Sequence, residues 1–164
     1  MPNLRSVELD FVDTASVVLT TDVDLPASIE EVWDVIIDNS SWTNWFSGCR
    51  SMTASPPLWA QAGDTRQAGL GLIKFDEVAV AVNAPRQWAM SLTKTTVPVA
   101  EAMLEMLELT DTSRQGETRT EVRWTGALDP LRYLRPLWPV IESRLVDTWG
   151  RSLEALHDEV VKRR

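Results

Sequence analysis

The segment IESRLVDTWGRSLEALHDEVVKRR, residues 141–164, decides the fold. Leu145, Trp149, Leu153, Leu156 and Val160 recur at steps of three or four, which stacks them into one apolar stripe, and most positions between them are charged or polar. The pattern predicts a single amphipathic helix from about Val140 to Val161. About 24 residues at 1.5 Å each span roughly 36 Å, enough to cross a small domain from end to end. So long a stripe needs a cover. Most upstream segments have strand character, so the expected cover is a curved sheet wrapped around the helix. A terminal coiled coil is the weaker alternative, because only about three heptads are present and Gly150 interrupts them.

Working back from the helix, LRYLRPLWP (residues 131–139) reads as a short helical turn broken by Pro136 and Pro139, after a bend at Asp129-Pro130. TRTEVRWTG (118–126) alternates, with Thr118, Thr120, Val122 and Trp124 on one face, and SRQGE (113–117) before it is a hairpin connector containing Gly116. The hairpin settles AEAMLEMLEL (100–109), whose composition suits a helix equally well, because a hairpin needs two strands. Alternating runs near residues 49–53, 65–70, 72–82 and 88–92 predict four more strands, and SPPLWAQAGD (55–64) is a loop. Val17, Leu19, Thr21, Val23 and Leu25 form the first strand, which Pro26 stops. Ser28 with Glu31 makes a capping box for a helix starting at Ile29, and SSWTNWF (40–46) forms a second short helix. Residues 1–15 hold no sustained period and are expected to be a loose arm ahead of a single domain, 16–164. The fold class is therefore α+β: an antiparallel sheet of about seven strands, two short helices after the first strand, and a long terminal helix in the sheet's grip.

Composition excludes several functions. Sixteen basic against 24 acidic residues leave a net charge of −8, which repels phosphate backbones and argues against nucleic acid as a partner. Cys49 is the single cysteine and His157 the single histidine, so neither an internal disulfide, Cys-His catalysis nor a His-rich metal site has the residues it needs. No cofactor is called for. There is no basic-then-apolar leader, and no apolar run approaches the ~20 residues of a membrane span, so a cytoplasmic protein without a membrane segment is expected. Eight tryptophans beside three phenylalanines and one tyrosine are the unusual feature. They supply broad apolar walls, each with one N–H donor, for a core or for a ligand pocket.

VDLPASIEEVWDVIIDNSSWTNW (23–45) resembles the opening signature of the START-like, or SRPBCC, superfamily, in which a strand ends in a Pro/Ala/Ser turn before a Glu-Glu-Val-Trp helix and a Trp-x-x-Trp helix. NAPRQWAMSL (83–92) is similar to its central turn and strand, and DTWGRSLEALHDEV (147–160) to its closing helix. The likeness runs from about Ser16 onward and is nearest to the polyketide cyclase/dehydrase and lipid-transport branch. It implies a helix-grip fold with an apolar cavity between sheet and helix.

Alternation also places carboxylates. If Leu107 and Leu109 face the core, Met103 and Glu105 share that face, and burial would raise the Glu105 pKa and suit it as acid, base or ligand anchor. Glu77 either faces inward beside Phe75 or outward while Val78 and Val80 face in. Three functions remain open. The preferred one is a carrier or sensor for a hydrophobic or aromatic small molecule, with Trp45, Trp88, Met90, Glu105, Trp124, Trp138, Leu145 and Trp149 around it. The second is a cyclase or dehydratase using cavity carboxylates or Arg123. The third is a core filled by its own tryptophans, with a protein partner at the surface.

Overall fold

The computed structural model describes residues 1–164. Its strands are β1 (Val17–Leu25), β2 (Cys49–Ser55), β3 (Thr65–Leu70), β4 (Ile73–Asn83), β5 (Gln87–Thr95), β6 (Ala100–Asp111) and β7 (Thr120–Pro130). Two short helices, α1 (Ile29–Ile37) and α2 (Trp42–Trp45), follow β1, and α3 (Trp138–Lys162) closes the chain. All strand pairs are antiparallel, in the order β1-β7-β6-β5-β4-β3-β2. Each strand from β2 to β7 lies beside its sequence neighbour, and β1 returns to close on β7. This is a helix-grip fold, with α3 laid along the sheet's inner face.

The ends of the helices explain their placement. Ser28 Oγ accepts from the Glu31 backbone N–H at 3.2 Å while Glu31 Oε2 accepts from the Ser28 N–H at 2.8 Å, so the capping box forms as the sequence predicts. A 3-10 turn from Arg132 to Leu137 leads into α3, whose first turn contains Pro139, where no backbone donor is needed. At the other end, Arg164 pairs with Glu31 at 2.9 Å and Arg163 with Asp38 at 2.7 Å. These pairs fix the last turn of α3 against α1. Trp149, Leu153, Leu156 and Val160 of the stripe are buried in the main core, with Leu145 packed at its edge.

The inner face carries Leu19, Trp88, Met90, Leu107, Val122, Trp124 and Leu128. Ala89, Ala102, Leu104, Met106 and Ala127, on the outer face of β5, β6 and β7, are buried as well. Residues 1–15 cover them, which corrects the expected loose arm. Val7 and Phe11 belong to this second core, and Leu9–Asp13 form a 3-10 turn over it. The Leu4 N–H donates to Thr93 O at 2.8 Å, the Arg5 N–H to Glu101 O at 2.8 Å and the Val7 N–H to Ser91 Oγ at 3.1 Å. Arg5 also pairs with Asp129 and lies over the Phe11 ring.

Two backbone details position the site. Phe75, Glu77 and Ala79 alternate inward on β4, and a β-bulge between Ala79 and Ala81 in its pairing with β5 then lets both Val80 and Ala81 join the outer core. On β7, Gly126 lies directly under the Trp149 ring, and any Cβ there would overlap it. Gly126→Ala is thus expected to cost about 1 to 3 kcal/mol by overpacking. Urea denaturation checks this, and an unchanged midpoint would mean the ring sits elsewhere.

Candidate functional site

Six tryptophans fill one half of the grip. α1 and α2 form a V that closes this end and brings Trp42 and Trp45 inward; Trp59 comes from the 56–64 loop, Trp88 from β5, Trp124 from β7 and Trp149 from α3. All six are essentially inaccessible. Ring centroids lie 4.4 Å apart for Trp42–Trp45, 5.3 Å for Trp42–Trp88, 4.8 Å for Trp59–Trp88 and 5.8 Å for the stacked pair Trp124–Trp149. Three indole donors are satisfied close by: Trp42 Nε1 donates to Ile36 O, Trp59 Nε1 to Asp64 O and Trp45 Nε1 to Ser41 Oγ. Trp88 Nε1 is buried without an acceptor.

The other half of the grip is open. A cavity of about 330 Å³ lies between the inner face of β3 to β6 and the first half of α3, and 16 of its 21 lining residues are hydrophobic, so its interior favours apolar contents. Met52, Phe75, Met90, Leu92 and Met103 line it from the sheet, and Ile141, Leu145 and Trp149 from α3. Exposed Val97, Val140 and Arg144 mark its mouth, at the β5–β6 turn and the start of α3. Of the residues that the sequence places around a ligand, Met90, Glu105, Leu145 and Trp149 therefore border the cavity. Trp45, Trp88 and Trp124 do not, because they are packed against other indoles in the filled half. Trp138 is half-buried at the start of α3 and also lies outside the lining.

The polar part of the wall is compact. Arg66 on β3 and Glu77 on β4 are cross-strand partners, and Arg66 Nε donates to Glu77 Oε2 at 2.5 Å. Arg66 Nη1 donates to Asn39 Oδ1 at 3.2 Å. The guanidinium lies between the faces of Trp42 and Trp59, 3.9 Å and 3.8 Å from their centroids. Glu105 on β6 accepts from Trp124 Nε1 at 3.1 Å. Burial, reinforced by the charge of Glu77, pushes the Glu105 carboxyl up to about 8, with the Trp124 N–H and Arg66 opposing. Glu105 is therefore mainly protonated at pH 7.

Stability should report this. The folded chain holds the Glu105 proton until about pH 8, whereas the unfolded chain releases it near 4.5. Folding takes up a proton between those values, so the contribution is fully present below about pH 4.5 and is lost as pH rises through about 8. Glu105→Gln should match wild type at pH 4.5 and be more stable by about 3 to 5 kcal/mol at pH 9. Guanidinium denaturation of both proteins across that range measures the difference; a constant offset would show that the carboxyl is ionised throughout.

Sequence reasoning missed Arg66 and Trp59. Arg66, Ala68 and Leu70 alternate on β3 and line the cavity together, a signal that a period-two reading of residues 65–70 contains. Trp59 was hidden in a proline-rich loop, although its backbone N–H is anchored to Ile37 O at 2.8 Å. Arg123, considered for an enzyme, is exposed on the outer face and pairs with Glu121 at 3.1 Å. Glu77 faces inward beside Phe75. His157 lies on the surface of α3 outside the cavity, and burial pushes the Cys49 thiol up, away from the thiolate form. No helix is long and apolar enough to cross a membrane.

A curved antiparallel sheet gripping a terminal helix over an apolar cavity defines the START-like class. The chain belongs to the polyketide cyclase / dehydrase and lipid transport family, whose profile matches residues 16–161. No curated protein matches the sequence. Among solved structures, a START superfamily protein from Mycobacterium smegmatis is similar with a TM-score of 0.70 at 10% identity, over 90% of this chain and 99% of that one. The Zhui aromatase/cyclase from a Streptomyces aligns with a TM-score of 0.70 at 14% identity, over 90% and 94% of the two chains. A protein from Bacillus thuringiensis aligns with a TM-score of 0.69 at 17% identity, over 88% and 99%. At these identities the likeness establishes the fold.

Proposed function

We propose that the protein binds a hydrophobic small molecule between β3–β6 and α3, as a carrier or sensor. The observation that carries the reading is the division of the grip: tryptophans fill the closed half, while about 330 Å³ beside them stays open, apolar and bordered by an exposed mouth. The family name supports it by joining lipid transport to cyclase chemistry. A cyclase reading, encouraged by the aromatase/cyclase among the similar structures, would rest on Glu105 alone. The wall presents no histidine, no tyrosine and no second uncompensated carboxyl. Binding needs only the cavity.

N-phenyl-1-naphthylamine, a neutral apolar fluorophore, tests the reading. It should bind with one site per chain and quench tryptophan emission, because the Trp149 ring forms part of the wall. Leu145→Trp places an indole in the cavity and should weaken binding about tenfold or more, provided its thermal unfolding stays near wild type. Equal affinity of the two proteins for the probe would move binding out of the grip.

A further inference from the structure

We propose that the cavity selects apolar ligands bearing an uncharged oxygen acceptor, such as a ketone or ester carbonyl directed at Glu105, and discriminates against carboxylate anions. The inference rests on the cavity being a binding site. It adds which polar group the ligand carries.

Three features of the wall support it. First, Arg66, the deep cation, already has its charge compensated: Nε donates to Glu77 and Nη1 to Asn39, and Trp42 and Trp59 hold its two faces, which leaves Nη2 as its one nitrogen without a protein acceptor. A ligand carboxylate would have to share it with Glu77 inside an apolar cavity, where an uncompensated anion is costly. Second, Glu105 is itself only 6% exposed, and just one of its oxygens is occupied, Oε2 by the Trp124 N–H. No hydrogen bond joins Glu105 to Glu77 or to any other protein group, and the side chain borders the cavity. The free oxygen therefore faces the space that a ligand would fill. Third, the Trp124 N–H takes an acceptor position on the carboxyl, which leaves Oε1 for the proton. The raised pKa of the carboxyl agrees with an O–H at neutral pH. Such a group donates, so its complement is an acceptor without charge. Other charged groups that line the cavity with it are Arg66 and Glu77 from the strands and Arg144 at the mouth on α3. Arg144 is the lining cation with no carboxylate partner of its own, and it stands only at the solvent edge.

Three probes of matched shape separate these possibilities: 2-ethylnaphthalene, 2-acetylnaphthalene and 2-naphthoate, each followed by displacement of N-phenyl-1-naphthylamine. At pH 6.5 the ketone should bind about 3- to 10-fold tighter than the hydrocarbon, the gain of one good hydrogen bond, and at least about 10-fold tighter than the carboxylate. At pH 9.5 the ketone's advantage should vanish in the wild type. It should persist in Glu105→Gln, whose amide N–H donates without titrating, and be absent at both pH values in Glu105→Leu. A ketone no better than the hydrocarbon overturns the inference while leaving the cavity reading intact, as does naphthoate binding as tightly as the ketone, the result expected if Arg144 governs selection. If none of the three displaces the fluorophore, the cavity reading fails and the inference falls with it.

Discussion

Trp149→Ala is expected to lower the free energy of unfolding by about 3 to 5 kcal/mol, the range for truncating a large buried aromatic. Its ring is 1% exposed, stacks on Trp124 at an interplanar angle of 17°, and covers the bare backbone of Gly126. Nothing near can close the gap. The backbone beneath belongs to a paired strand, and the Trp124 ring is held through its N–H on Glu105. Truncation would also extend the cavity, so an apolar ligand should recover part of the loss by occupying it. Urea denaturation with and without N-phenyl-1-naphthylamine measures both effects. A midpoint close to wild type would mean that α3 does not seat its stripe on the sheet.

Removal of the Arg66 charge should be comparably severe. In Arg66→Met, Glu77 stays buried without its counter-ion, Asn39 loses a partner, and the Trp42 and Trp59 faces lose the cation between them. Breaking one side of a buried ion pair costs about 3 to 5 kcal/mol, mostly because the other side is stranded. Arg66→Met combined with Glu77→Gln should therefore be more stable than Arg66→Met alone, which no simple sum of two damaging changes predicts. A double variant no more stable than Arg66→Met alone would mean that the stacking between indoles, lost in both, outweighs the stranded charge.

Much of the fold was legible because its elements keep strict periods. The α3 stripe, the β1 alternation and the Ser28–Glu31 box are local signals, and each reappears where the residues put it. β6 was ambiguous for a physical reason. Both of its faces are buried, Met103, Leu107 and Leu109 inward and Ala102, Leu104 and Met106 outward, so its apolar residues run together as in a helix former. That doubled burial was itself the sign that something covers the outer face. Val7 and Phe11 have the spacing to do so, but the acidic residues among them obscured it. The site was less legible because alternation gives the face of a residue, not its position along the grip. Trp88 and Met90 share the inner face of β5, yet the first meets Trp42 and Trp59 beneath the α1–α2 cap and the second borders open space. Which half is filled depends on where that cap sits, and this is a tertiary property.

The account rests on an apolar ligand lodging between the sheet and α3, beside the tryptophans rather than among them. A crystal of the protein soaked with 2-bromonaphthalene tests this directly, because bromine is located by its anomalous signal. The account predicts one strong peak within contact distance of Met90, Leu145 and Trp149, inside the mouth formed by Val97 and Val140. Bromine found only on the outer surface, with the space between β3–β6 and α3 unoccupied, would contradict it.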